Sequence, residues 1–166
     1  MAFIRVKEIK GQRYAYLVEN KWTNRGARQK VGKYLGKVYA PQKTTKKGLK
    51  EYLRITSVKD YAEGSDFRKI INDLINLELH NHGIDSFYAE KQGNKVIALN
   101  QGFLCEHTIK ALFSHNPEED DGFRLAGLMT GAGIDIEKEV FIELFEKLKN
   151  QIKTKQAEQI SKEFYY

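Results

Sequence analysis

Apolar and polar residues alternate along the first forty positions, and this pattern predicts β-strands because alternate side chains of a strand share one face. Glycine stands in Lys10-Gly11 and Arg25-Gly26, between the alternating runs, where a tight turn needs a positive φ angle. The runs cover residues 3–9, 13–19 and 27–35. We therefore predict an antiparallel meander of three strands with one face more apolar than the other.

The third run predicts which residues of the third strand share a face of the meander. Strict alternation groups Tyr34 with Arg28 and Lys30 on one face, and places Val31 and Leu35 on the other. The same reasoning places Trp22 in a loop between the second and third strands, where it either stacks on a ligand or caps a small core.

Helical periodicity follows the meander. The apolar residues of Leu49–Thr56 predict a short helix or strand there. Apolar residues at near-helical spacing predict a longer helix over 66–82. Ser65 fits its N-cap and Gly83 its C-terminal cap. Further helices are expected over 102–115, from residue 118 and from residue 135, where apolar stripes recur.

A second hairpin is predicted at Gln92-Gly93-Asn94, which Asp85–Ala89 and Val96–Leu99 flank. The fold class expected is α+β, with an N-terminal antiparallel three-stranded basic sheet followed by a mainly helical part that contains one hairpin. The predicted divisions are a basic meander at 1–40, a basic linker and short element at 41–64, a helical and hairpin domain at 65–150, and a polar C-terminal helix or tail at 151–166.

Charge is distributed unevenly along the chain. The net charge is +6, but residues 1–59 contain 16 Lys and Arg against 3 Asp and Glu, and the remainder is acidic. Such asymmetry is typical of proteins that bind polyanions. Lysine and arginine neutralise phosphates, and exposed aromatic rings stack on unpaired bases.

We therefore predict a non-enzymatic protein that binds nucleic acid, DNA or RNA, through the basic sheet and the lysine-rich strip Lys43–Lys50 after it. The candidate contact residues are basic or aromatic. They are Arg5, Lys7, Arg13, Lys21, Trp22, Arg25, Arg28, Lys30, Lys33, Tyr34, Lys43, Lys46 and Lys47.

Part of this segment resembles known families. Lys10-Gly11, Tyr14–Glu19, Arg28–Val31 and Tyr34–Gly36 are similar to the N-terminal segment of some DDE-type insertion-sequence transposases and of some Fic-domain proteins. The transposase resemblance implies DNA contact, and the Fic resemblance implies a docking module. Neither family's catalytic motif follows in this chain, so the resemblance implies no enzymatic activity.

Two alternatives involve chemistry. Asp85, Glu90 and Lys91 lie in the predicted second hairpin, where carboxylates beside a lysine are typical of metal-dependent nucleases. His80, His82, Cys105 and His107 are possible zinc ligands, although two histidines two positions apart at a helix end point in different directions. A third alternative is a protein-interaction module with a basic docking face.

The remaining expectations concern cofactors, compartment and partners. We expect no cofactor, and the single cysteine fits a reducing, cytoplasmic setting. No apolar run approaches the ~20 residues that span a bilayer, so no membrane association is expected. A protein partner or self-association through the C-terminal helices remains open.

Overall fold

The computed structural model describes residues 2–24, 26–84, 95–115 and 122–163, with the backbone alone from residue 151 onward. The strands of this part are β1 Ala2–Ile9, β2 Gln12–Thr23, β3 Gly26–Tyr39, β4 Lys95–Leu99 and β5 Gly102–Leu104. Its helices are α1 Leu49–Leu53, α2 Val58–Gly64, α3 Phe67–Asn81, α4 Glu106–Phe113, α5 Gly122–Ala132 and α6 Lys138–Glu163. The predicted α+β class is confirmed.

All five strands form one sheet in the order β1-β2-β3-β4-β5. The strands β1, β2 and β3 are antiparallel neighbours, as predicted. A parallel pairing of β3 with β4 then adds a hairpin of β4 and β5 to the edge of the meander. The meander is therefore part of a larger sheet, because the chain between Tyr39 and Lys95 returns β4 to the edge of β3.

The two turns of the meander follow from local sequence. Lys10 and Gly11 both have positive φ angles, 50° and 72°, and connect the facing residues Ile9 and Gln12. This is the backbone that a two-residue hairpin turn of the favoured twist requires. In the second turn Thr23 already faces Gly26, so pairing extends further than predicted. Arg25 lies outside the described residues.

A β-bulge changes which residues of β3 share a face. Tyr16 faces Tyr34 and Val18 faces Val31, so one step of two residues on β2 matches a step of three on β3. The extra residue reverses the alternation at Tyr34, and a second irregularity, where Ala15 faces Gly36 and Tyr16 faces Tyr34, reverses it again toward Lys37. The prediction that Tyr34 shares a face with Arg28 and Lys30 is therefore wrong, and Tyr34 lies on the face of Tyr16 instead.

The later hairpin also differs from the prediction. Residues 85–94, which include the predicted strand Asp85–Ala89, lie outside the described part of the chain. The observed hairpin turns at Asn100-Gln101, and Gly102–Leu104 is a strand where a helix was predicted. The helix α4 starts later because the Thr108 hydroxyl accepts a hydrogen bond from the backbone N–H of Cys105, at 3.0 Å, which fixes its first turn.

The long helix α3 largely confirms the periodicity, with one correction at its start. Asp66, not Ser65, is the N-cap, because its carboxylate accepts the backbone N–H of Lys69 at 2.7 Å. The predicted end is confirmed, with His82 as C-cap and Gly83 at φ 66°. The short element after the strip is helical rather than extended, and α6 begins at Lys138 rather than at 135.

The described part has two apolar clusters. The main cluster packs α3, α5 and α6 against Ile97, Leu99 and Leu104 of the sheet. The smaller cluster lies under the meander and includes Ala15 and Val96. Among the helices that the structure describes, none is both long enough and apolar enough to cross a membrane.

Candidate nucleic-acid interface

A two-stranded ribbon extends beyond the rest of the sheet. The strand β1 starts at Ala2, which faces Glu19 of β2. Beyond Glu19, only β2 and β3 of the described strands are paired, as far as Thr23 and Gly26. We call Glu19–Thr23 with Gly26–Lys30 the ribbon, with the facing pair Glu19 and Lys30 at its base. Every described residue from Glu19 to Tyr34 is exposed. The ribbon is held by its backbone ladder, and both of its faces are accessible to a ligand.

Basic side chains share one face of this ribbon. Lys21 faces Arg28, and Lys30 faces Glu19 one step closer to the body, so these three cations lie on the same side. No carboxylate among the described residues forms an ion pair with Lys21, Arg28 or Lys30. The charges of these three side chains therefore face solvent.

Trp22 lies on the opposite face of the ribbon. It stands on β2, facing Ala27, and not in a loop as predicted. Its side chain is 85% exposed, so it does not cap a core. Exposure of a tryptophan to this extent leaves its ring faces open to a ligand.

The face of Trp22 continues along β2 as a cluster of tyrosines. We call Tyr14, Tyr16, Tyr34 and Tyr39 the tyrosine face. The ring centroid of Tyr34 lies 5.5 Å from that of Tyr16 and 6.3 Å from that of Tyr14, with the rings tilted. Tyr34 and Tyr39 each remain 43% exposed.

Basic groups surround these rings. Lys7 Nζ lies 5.6 Å from the ring centre of Tyr16, and Lys37 and Lys95 place their ammonium groups 5.6 Å and 5.7 Å from that of Tyr39. Such distances are within the range of cation–π contacts. Arg5 faces Tyr16 and donates a hydrogen bond to the side chain of Gln29, which connects this face to the base of the ribbon.

Two further predicted contact residues lie elsewhere. Arg13 faces Glu8 on the other side of the meander. Lys33 is exposed, and its positive charge acts on Glu106 at the start of α4. The pKa of the Glu106 carboxyl is lowered mainly by its hydrogen bond and ion pair with Lys110, and to a smaller extent by Lys33.

The lysine-rich strip at 43–47 is attached to α3 by hydrogen bonds. The Asn81 side chain accepts the backbone N–H of Lys47 at 2.9 Å and donates to the Lys47 carbonyl at 3.0 Å. Thr45 donates its hydroxyl to the same side chain. The strip is therefore an ordered segment rather than a free linker, and it borders a cavity of about 290 Å³ that Lys43, Lys46 and Lys47 help to line.

Lys43 is already engaged within the fold. Its ammonium group lies 3.6 Å from the carboxylate of Glu78 and 3.7 Å from that of Asp135, and 3.3 Å from the side-chain oxygen of Asn100. These partners make it a weaker candidate for phosphate contact than the ribbon cations. Lys46 is exposed at the rim of the cavity.

Glu78 is a structural centre that the sequence did not reveal. It is 2% exposed, and its carboxylate accepts the Asn100 amide and the backbone N–H of Asp135, both at 3.1 Å. It thereby connects α3 to the β4–β5 turn and to the segment before α6. A carboxylate inside the apolar run of α3 was the only available signal.

The possible zinc ligands do not converge. His82 is buried with Nδ1 2.8 Å from the carbonyl oxygen of Glu78, whereas His80 is exposed and its ring lies 5.3 Å from that of Tyr52. Cys105 is buried at the start of α4, and His107 is exposed. In the described ranges no group of three or more His, Cys, Asp or Glu residues could hold a metal ion.

The nuclease alternative cannot be placed on this surface, because Asp85, Glu90 and Lys91 lie outside the described residues. No family model, no curated protein and no solved structure matches this chain. The resemblance of the N-terminal segment to transposase and Fic segments therefore stays an expectation. The geometry of the ribbon and the tyrosine face is the basis for a functional interpretation.

Proposed function

We propose that this protein binds nucleic acid through the ribbon and the tyrosine face, without catalysing a reaction on it. The observation that supports this most directly is the ribbon, where three cations share one exposed face and Trp22 occupies the other. A two-stranded ribbon fits the major groove of a duplex and can equally be contacted by a single strand along either face.

The physical basis for affinity is the release of counterions. Each phosphate neutralised by a lysine or arginine frees a bound cation, which favours binding without any sequence preference. Lys21, Arg28 and Lys30 are suited to this because no described carboxylate, including Glu19 opposite Lys30, lies within ion-pair distance of their charged groups.

Exposed aromatic rings favour nucleic acid over an acidic protein as the partner. An acidic protein needs cations only, whereas the bases of a nucleic acid also offer flat apolar faces. Trp22 and Tyr34 present large aromatic areas to solvent within the same surface as Arg5 and Lys7. This combination of cations and rings is typical of sheets that bind nucleic acid.

Fluorescence anisotropy with labelled single- and double-stranded DNA and RNA, without added metal, tests this proposal. We expect binding at micromolar concentration or tighter to at least one of the four at low salt. Replacing Arg28 and Lys30 together by alanine should weaken it about tenfold or more, since each contact to a phosphate contributes to affinity. No binding to any of the four probes would refute the proposal.

A matched control separates local contact from net charge. Lys59 and Lys138 are exposed on helices, and their double replacement by alanine removes the same charge as the ribbon variant. We expect the control protein to bind within about twofold of the unmodified protein. Equal losses in both variants would indicate attraction by overall charge and contradict a role for the ribbon.

A further inference from the structure

We infer that the tyrosine face, together with Trp22, holds unpaired bases, so that the ligand is single-stranded nucleic acid. This inference rests on the proposed function and specifies its ligand. The rings lie on one side of the sheet: Tyr14 and Tyr16 are neighbours on one face of β2, Tyr34 of β3 faces Tyr16, and Trp22 lies six residues beyond Tyr16 on the same face. In a duplex the base faces are hidden in the stack, whereas in a single strand they are accessible.

The geometry of Tyr34 supports its use as a stacking partner. Its ring is tilted by 46° against that of Tyr14 and by 54° against that of Tyr16, so neither neighbour is stacked flat on it. It remains 43% exposed in spite of these neighbours. Aromatic residues used only for core packing are normally covered, and the apolar core of the meander lies on the other face of the sheet, around Ala15.

Cations on the same face provide the phosphate contacts that such a strand needs. Arg5 and Lys7 face Tyr16 and Tyr14 from the neighbouring strand β1, and Lys37 faces Tyr14 from β3. Bases stacked on the central rings would therefore have basic side chains on both sides for their backbone. Trp22 lies about 20 Å from Tyr16 along β2 and adds a further aromatic ring toward the tip of the ribbon.

The test compares ring-preserving and ring-removing variants on three labelled probes: a 12-nucleotide oligo-dT, a 12-nucleotide oligo-U and a 12-base-pair DNA duplex. Tyr34→Leu should weaken binding to the single strands about tenfold, because one stacked base contributes roughly that factor. Tyr34→Phe should stay within about twofold, because phenylalanine preserves the ring. Neither variant should change binding to the duplex.

Trp22 provides an independent readout, since it is the only tryptophan of the chain. We expect its fluorescence to be quenched by oligo-dT in the unmodified protein. Trp22→Leu should weaken binding to oligo-dT about tenfold, and this exposed substitution leaves the fold intact. If Tyr34→Leu lowers the melting temperature, Trp22→Leu still tests the stacking role in a stably folded protein.

The outcomes separate this inference from the proposed function. Binding to the single strands that Tyr34→Leu and Trp22→Leu leave unchanged, with no preference for single strands over the duplex, would overturn the stacking role and leave the proposed function standing. Absence of binding to every probe would refute both. Selective loss of single-strand binding in the two leucine variants, with retention in Tyr34→Phe, would establish the base-stacking surface.

Discussion

Replacing the three cations of the ribbon gives the sharpest prediction about this surface. In the variant, Lys21, Arg28 and Lys30 become threonine, which keeps β propensity while removing the charges. All three positions are exposed and none is in an ion pair with a described carboxylate. The free energy of unfolding should therefore change by less than about 0.5 kcal/mol per site.

The expected magnitude follows from counterion release. The logarithm of affinity falls with the logarithm of salt concentration by about 0.7 per phosphate neutralised on a single strand, and by about 0.9 on a duplex. Loss of three contacts should thus reduce the slope by about 2 for single strands and about 2.7 for a duplex. Between 50 and 200 mM salt, the unmodified protein should lose about 20-fold or 40-fold more affinity than the variant.

Anisotropy titrations at four or more salt concentrations measure both slopes. A control in which Lys59, Lys138 and Lys149 become glutamine removes the same charge from exposed helical positions. We expect the control to keep the slope of the unmodified protein. A ribbon variant whose slope equals that of the unmodified protein would show that these cations do not contact phosphates, whatever its affinity at one salt concentration.

Three further predictions concern the rest of the fold. Glu78→Ala should lower the free energy of unfolding in urea by about 2 kcal/mol, because two part-buried hydrogen-bond donors lose their buried acceptor. Glu78→Gln should lower it less, and equal stability of all three proteins would contradict the structural role of Glu78. Gly102→Ala should also lower the melting temperature strongly by calorimetry, since a Cβ there would overlap backbone atoms of Thr130 and Gly131 in the last turn of α5 and of Gly133 after it. The pKa of Glu106 measured by NMR should lie below the ordinary value for glutamate, and Lys110→Ala should raise it. The ion pair with Lys110 is complete above the ordinary pKa and is lost as the pH falls through the lowered pKa of Glu106. An unchanged pKa of Glu106 in Lys110→Ala would exclude Lys110 as the cause of the lowering.

The candidate site could be predicted from the sequence only in part. Alternation and charge identified the basic residues of the ribbon and Trp22, because residue type is read directly. The face of Tyr34 could not be predicted, because an extra residue of β3 on each side of it shifts the register and reverses the alternation at Tyr34. Lys43 was predicted to contact phosphate, but its ammonium group forms ion pairs with Glu78 and Asp135, which come from distant parts of the chain.

The sequence by itself determined the features that depend on a few neighbouring residues. Glycine after Lys10 set the first turn, and apolar spacing followed by Gly83 set the length and the end of α3. Only the tertiary structure decided that β4 pairs with β3, because parallel strands are joined by a long connection whose return point leaves no local pattern. The tertiary structure also decided the burial of Glu78. Burying a carboxylate costs free energy, and this cost is offset only by hydrogen-bond donors that the folded chain brings to it.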